Sequence, residues 1–302
     1  MKVLLLGANG QLGWELQRTC PEDVSLISCD FPGVDFCSPD SIRQCIQTTQ
    51  PDGIINAAGY TAVDKAEQEP DLADRINHLA VRYIAELCRQ NQIRLIHIST
   101  DFIFSGRHFK PYKPNDDPGP ESVYGKSKLK GEQAMRKTLE NALIIRTAWL
   151  YSIHGHNFVK TMLRLMKEKT ELRVVEDQVG TPTWAFGLAK VVWKSLRDNT
   201  TGIFHWTDAG VASWYDFSTA IQEEGLRTGL LDQAIPIIPV STPEYPTPAK
   251  RPRYSVLDKT TARQTLGILP VHWRVQLRAM IRELSDHPSA RRFPVGHPNY
   301  PL

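Results

Sequence analysis

Lys2-Val3-Leu4-Leu5-Leu6-Gly7-Ala8-Asn9-Gly10-Gln11-Leu12-Gly13 is the stretch on which the fold reading turns. An aliphatic run of strand length feeds directly into a Gly-x-x-Gly-x-x-Gly loop, and the amphipathic segment Leu12–Thr19 follows. Glycine at Gly7, Gly10 and Gly13 lets the backbone turn sharply and lets a diphosphate approach its N–H groups. The partial positive charge of a helix N-terminus then stands behind that loop. Three glycines alone signal little. Between a strand and a helix they predict a dinucleotide site.

The same alternation continues outward. Short apolar runs recur at Val24–Ser28, Gly53–Asn56, Leu95–Ser99 and Ala142–Arg146, with helical candidates at Pro39–Thr48, Asp71–Gln90 and Val123–Thr138 between them. In Asp71–Gln90 the residues Ile76, Leu79, Ala80, Tyr83, Ile84 and Leu87 fall at helical spacing and predict one apolar stripe. Strand, helix, strand in repetition predicts an α/β fold, a doubly wound parallel sheet with crossover helices. Residues 1–150 are expected to form this dinucleotide-binding unit, with a later stretch, about 172–206, returning to it. The remaining segments, about 151–171 and 207–285, are expected to form a smaller substrate-binding cap. Prolines 236, 239, 243, 246, 248 and 252 predict extended loop there. Residues 286–302, with four prolines and little apolar content, predict a flexible tail.

Composition narrows the function classes. The chain has 302 residues, 41% apolar and 23% charged, enough to bury a core without a disulfide or metal. Its 36 basic and 33 acidic residues leave a net charge of +3, too balanced to imply a nucleic-acid partner. No apolar run approaches the roughly 20 residues that cross a bilayer, and the short first strand is no signal-peptide core. No membrane association and a cytoplasmic location are therefore expected. Cys20, Cys29, Cys37, Cys45 and Cys88 form no Cys-x-x-Cys and read as reduced thiols. No metal is expected; His154-Gly155-His156 reads as a loop rather than a ligand pair.

Several residues carry candidate chemistry. Asp30, at the end of the second run, can accept from a ribose hydroxyl and repel an extra 2′-phosphate, which favours NADH over NADPH. Asp35 and Phe36 could flank the adenine, and Ala57 and Gly59 could let a dinucleotide lie against the third strand's end. Tyr124 and Lys128 stand one helical turn apart on one face. A neighbouring ammonium is expected to lower the phenol's pKa. Thr100 ends the fourth strand, so hydroxyl, phenol and lysine would meet around a carbonyl beside the cofactor, a site for hydride transfer.

At this point the sequence resembles the extended short-chain dehydrogenase/reductase superfamily, whose sheet is the Rossmann type. Within it, the chain is similar to the dTDP-4-dehydrorhamnose reductases. The resemblance spans about residues 1–285 and is carried by Gly7–Gln17, Asn56–Glu67, Ser99–Gly106, Val123–Glu132, Arg146–Tyr151, Asp177–Thr183 and Tyr245–Pro252. It implies NADH- or NADPH-dependent reduction of a 4-keto sugar nucleotide in a homodimeric enzyme. By it, Gly10, Gln11 and Leu12 touch the cofactor diphosphate, Asp30, Asp35 and Phe36 the adenosine, and Gly59, Tyr60 and Thr61 line the cofactor. Tyr124 is then the proton donor, Lys128 holds the nicotinamide ribose, and Thr100, Asp101 and Trp149 contact the sugar. Arg251 could pair with the substrate diphosphate. Related dehydratases carry a glutamate where this chain has Phe102, which argues against dehydration. A 4-epimerase, or a non-catalytic dinucleotide-binding regulatory subunit of the same fold, are the competing readings.

Overall fold

The computed structural model describes residues 1–286, so the expected tail lies, beyond its first residue, outside the described residues. The chain opens with β1 (Lys2–Leu6), α1 (Gln11–Arg18), β2 (Ser25–Cys29), α2 (Pro39–Thr49) and β3 (Gly53–Asn56). Two short helices follow, α3 (Val63–Ala66) and α4 (Pro70–Asp74), then a π turn over Arg75–Leu79 and α5 (Ala80–Asn91). β4 (Arg94–Thr100), α6 (Val123–Thr138) and β5 (Leu143–Thr147) extend the pattern.

The second half holds β6 (Leu150–Tyr151), α7 (Phe158–Glu168), β7 (Leu172–Val175), β8 (Val179–Gly180), β9 (Thr183–Trp184), α8 (Ala185–Arg197) and β10 (Gly202–His205). It ends with β11 (Ala212–Ser213), α9 (Trp214–Arg227), β12 (Ile237–Val240), α10 (Thr260–Leu266) and α11 (Trp273–Asp286).

Six strands form one parallel sheet in the order β2-β1-β3-β4-β5-β10. Leu4 pairs with Ile27 on one side and Ile54 on the other, and Ile145 lies between Ile98 and Phe204. The aliphatic runs are continuous because both faces are covered. Val3, Leu5, Ile55, Ile96 and Ile145 pack with residues of α1 and α8; Leu4, Leu6, Ile54, Leu95 and Ile144 pack with residues of α2 and α5. The strand order reverses between β1 and β3. In open sheets the crevice at the carboxyl ends there is where ligands bind. A separate core around Phe158, Met162, Phe217, Trp273 and Leu277 joins α7, α9 and α11 above that edge.

Three local expectations change. Residues 71–90 are not one helix. The π turn rotates the buried face, so Ala73, Asn77, Val81, Ile84, Ala85 and Cys88 point inward, while Ile76, Leu79, Tyr83 and Leu87 are half-buried. Leu172–Val175 does not return to the main sheet: β7 pairs in parallel with β12, and α8 and β10 alone of that stretch pack on or join the sheet. The proline-rich segment is accordingly not all loop, since Ile237–Val240 is a strand that tolerates Pro239 in a two-stranded edge pairing. The five cysteines are free thiols.

α6 lies against the π turn through Gly131, where a Cβ would stand 2.1 Å from the Asn77 carbonyl oxygen. Gly131→Ala must push the helix away, at a cost of about 1–3 kcal/mol. The expected result is a lower midpoint in urea unfolding with an unchanged slope. An unaltered midpoint would mean that this contact does not position α6.

Candidate active site

The glycine loop is built by backbone contact. Gly7 sits at φ +83° and donates its N–H to the Cys29 carbonyl. A Cβ on it would lie 2.4 Å from the Ala58 nitrogen, and one on Gly13 2.1 Å from the Gly7 oxygen. Gly7 and Gly13 therefore shape the turn from behind. Gly10, Gln11 and Leu12 face the cleft at the start of α1, whose first turn has no side-chain cap. The Gly10 N–H donates to the Gly7 carbonyl at 3.3 Å, and the open N–H groups of Gln11 and Leu12 suit an anion.

A cavity of about 410 Å³ runs from this loop across the ends of β3, β4 and β5 to α7. It brings together Gly10, Gln11, Leu12, Ala57, Gly59, Thr61, Thr100, Asp101, Tyr124, Lys128, Trp149 and Arg251. Asp30, Asp35, Phe36 and Tyr60 do not line it. The Asp30 carboxylate accepts from the Asn9 and Phe31 N–H groups, both at 2.8 Å, at the loop's outer side. Asp35 accepts from the Cys37 N–H, and Phe36 packs against the core beside α2. The Tyr60 hydroxyl donates to Glu69, and its backbone N–H and carbonyl are held by Asn77.

Tyr124 and Lys128 face the cavity from α6, and both are buried. Burial pushes the Tyr124 phenol up to about 12; a hydrogen bond with Thr100 opposes this and the Asp101 charge adds to it. The expected lowering by an adjacent ammonium is not what governs this phenol, because dehydration outweighs it. Tyr124 is thus held protonated, as a donor must be. Burial lowers Lys128 to about 8, against the pull of Glu132. Its Nζ donates to the Ile98 carbonyl at 2.7 Å. Thr100 donates to the Asp101 carboxylate at 3.0 Å, and burial raises Asp101 to about 6.

Three buried polar atoms in the lining, Ser99 Oγ, Asp101 Oδ2 and Thr147 Oγ1, have no protein partner. Buried polar atoms are rarely left so, and together they fit a polar ligand that supplies the missing bonds. With the uncapped loop at one end, the cavity fits a dinucleotide.

Sequence reasoning missed the segment that joins the two halves. Asn157 donates to Gln11, His154 stacks on Trp14 and meets the Asn9 carbonyl, and Ser152 bonds the buried Glu15. Lys160, Thr161 and Arg164 of α7 also line the cavity. Helical periodicity on α7 could have suggested that polar stripe, but not its target. Trp149 adopts φ +47° and stacks on Trp214, ring centroids 3.5 Å apart. The Arg251 guanidinium forms a two-pronged pair with Asp64, at 2.9 and 2.6 Å. Its charge is paired within the protein, and the residue also lines the cavity.

A family model described as RmlD substrate binding domain matches residues 1–286. A dTDP-4-dehydrorhamnose reductase of Escherichia coli K12 is 38% identical, the match covering 94% of this chain and 98% of that protein. The crystal structure of a dTDP-4-dehydrorhamnose reductase from Clostridium acetobutylicum superposes with a TM-score of 0.89 at 40% identity, over 94% of this chain and 99% of that one. A Bacillus anthracis dTDP-4-dehydrorhamnose reductase in complex with NADP is similar at a TM-score of 0.89 and 35% identity, covering 93% and 99%.

Arg251→Ala would leave the Asp64 carboxylate in a nearly dry pocket with the Ala249 N–H but no counter-ion. The expected destabilisation is about 3 kcal/mol, at the low end for a broken buried pair because Asp64 keeps some solvent contact. Replacing both, Asp64→Leu with Arg251→Met, should restore most of it in urea unfolding. A single variant as stable as the wild type would show the pair to be idle.

Proposed function

The chain belongs to the RmlD substrate binding domain family, and from that premise we propose that it uses NADH or NADPH to reduce the C4 keto group of dTDP-4-dehydro-L-rhamnose. The product is dTDP-L-rhamnose, a nucleotide sugar for cell-surface polysaccharide. The observation that carries this reading is the meeting of Thr100, Tyr124 and Lys128 in one cavity that reaches the glycine loop.

A bound reduced nicotinamide supplies the hydride. The N–H groups of Gln11 and Leu12, with Gly10 beside them, hold the cofactor diphosphate, and Gly59 and Thr61 line its path. Lys128 Nζ, anchored on the Ile98 carbonyl, presents its remaining donors to the nicotinamide ribose. Thr100 orients the sugar oxygen, and Tyr124 Oη gives its proton to the forming alkoxide. The high phenol pKa keeps that proton in place until negative charge develops on the sugar. Asp101 accepts from a sugar hydroxyl through the oxygen that lacks a protein partner. Trp149, held between Trp214 and Gly180, offers the part of its ring that lines the cavity to the pyranose. Phe102 packs edge-on against Tyr124 where a dehydratase needs a carboxylate, so elimination has no base at that position.

The substrate half is read as a cap formed by about 151–171 and 207–285. No helix among the described residues is long and apolar enough to cross a membrane. The proposed location is the cytoplasm, with no nucleic-acid partner. The half-buried apolar side chains of Ile76, Leu79, Tyr83 and Leu87 support pairing with a second copy of the chain.

Purified protein should oxidise NADH when given dTDP-4-dehydro-L-rhamnose. Tyr124→Phe should cut turnover at least about a hundredfold while leaving NADH affinity unchanged. Near-wild-type turnover in that variant would remove Tyr124 from the proton transfer. Because Asp30 lies beside the loop and repels a 2′-phosphate, kcat/KM should be higher with NADH than with NADPH. A clear preference for NADPH would mean that the Asp30 charge does not set the cofactor choice.

A further inference from the structure

One buried group behind the cavity has no part in the reading above. His97 lies in β4, fully enclosed, with its Nε2 3.4 Å from Lys128 Nζ. Its other ring nitrogen, Nδ1, is 3.2 Å from the Nδ2 of Asn56, its partner across the β3–β4 ladder. The Asn56 amide cannot turn freely, because its Oδ1 accepts from the Ala58 N–H at 3.2 Å. The amide nitrogen therefore faces the ring and donates to Nδ1. A neutral imidazole has a single proton, and with Nδ1 accepting from the Asn56 amide that proton is assigned to Nε2. It points at Lys128.

This arrangement treats the two forms of Lys128 differently. An ammonium presents N–H to N–H. An amine accepts from Nε2–H while still donating to the Ile98 carbonyl. We propose that His97, oriented by Asn56, is a positioning residue that fixes Nζ below the cavity and favours release of its proton. The proposal rests on the reading of Tyr124 and Lys128 as the pair that handles the reaction's proton. When Tyr124 has given its proton to the sugar, Lys128 can resupply it, and Nε2–H then steadies the amine until solvent returns a proton.

The other groups facing Nζ are few. On α6 they are Tyr124, one turn before, and Glu132, one turn after, whose carboxylate favours the ammonium but is bound by buried Arg146. Beyond β3 the uncharged Gly59 lies near it. Burial first, and the Lys128 charge second, keep His97 neutral, outweighing the bond its charged form would make to the Asn56 backbone.

The test is the pH profile of kcat with both substrates saturating. Wild-type turnover should fall as pH rises through about 8, where the Lys128 ammonium is lost. In His97→Leu the opposing N–H is gone and the ammonium is retained longer. The alkaline limb should move up by about half to one pH unit, the size of one hydrogen bond, while NADH affinity stays within twofold. His97→Gln is nearly isosteric and can turn its carbonyl to the ammonium; it guards against misfolding of the leucine variant and should shift the limb in the same direction. An alkaline limb unmoved in the folded variants, or moved down, overturns the proposal. Absence of wild-type turnover would instead sink the reductase reading, which keeps the two failures apart.

Discussion

The distance between α6 and the end of β4 governs everything in the site, and two glycines set it. A Cβ on Gly125 would stand 2.2 Å from the Phe102 carbonyl oxygen, and one on Gly131 2.1 Å from the Asn77 carbonyl oxygen in the π turn. Any side chain at either position lifts the helix. With hydrogen there, Tyr124 comes within reach of Thr100, and Lys128 reaches under the sheet edge to the Ile98 carbonyl. Asn77 locks the same junction from the other side: it bonds the Tyr60 N–H and carbonyl and the Ser127 hydroxyl, tying the β3 loop to α6. The π turn is the means by which Asn77 points inward at all.

That closeness makes the site dry, and dryness sets its chemistry. Burial raises Tyr124 and Asp101 and lowers Lys128 and His97; in each case the charged form is the one disfavoured. A phenol that holds its proton next to a lysine that gives its proton up readily suits delivery of one proton to one developing oxyanion. Fixed dipoles around a reacting carbonyl act strongly where water is excluded. The unpartnered oxygens of Ser99, Asp101 and Thr147 are the cost of that preparation, and a bound polar ligand relieves it.

Much of this was legible in the chain because it is local. Gly7 to Gly13, the aliphatic runs and the Tyr124–Lys128 spacing each depend on neighbours a few residues away, and Gly53–Asn56 and Val123–Thr138 agree with the structure residue for residue. What was not legible depends on distant partners. The Asp64 that pairs with Arg251 is 187 residues away, so no local spacing shows that pair. His97 reads as one polar residue in a strand until the register sets it beside Asn56. The π turn displaced a stripe whose spacing was otherwise sound. The strand at Ile237–Val240 was hidden by prolines that an edge pairing tolerates.

The central claim is that a hydride moves to the C4 carbon of a sugar held against Tyr124. The direct measurement is the fate of deuterium from stereospecifically labelled [4-²H]NADH, with dTDP-4-dehydro-L-rhamnose as acceptor and the product read by NMR. The account requires one deuterium at C4 of the rhamnose ring, from one face of the nicotinamide only, and none at C3 or C5. Label left on the cofactor with both C4 epimers of the labelled NADH, or a reduced sugar carrying hydrogen from solvent at C4, would contradict it.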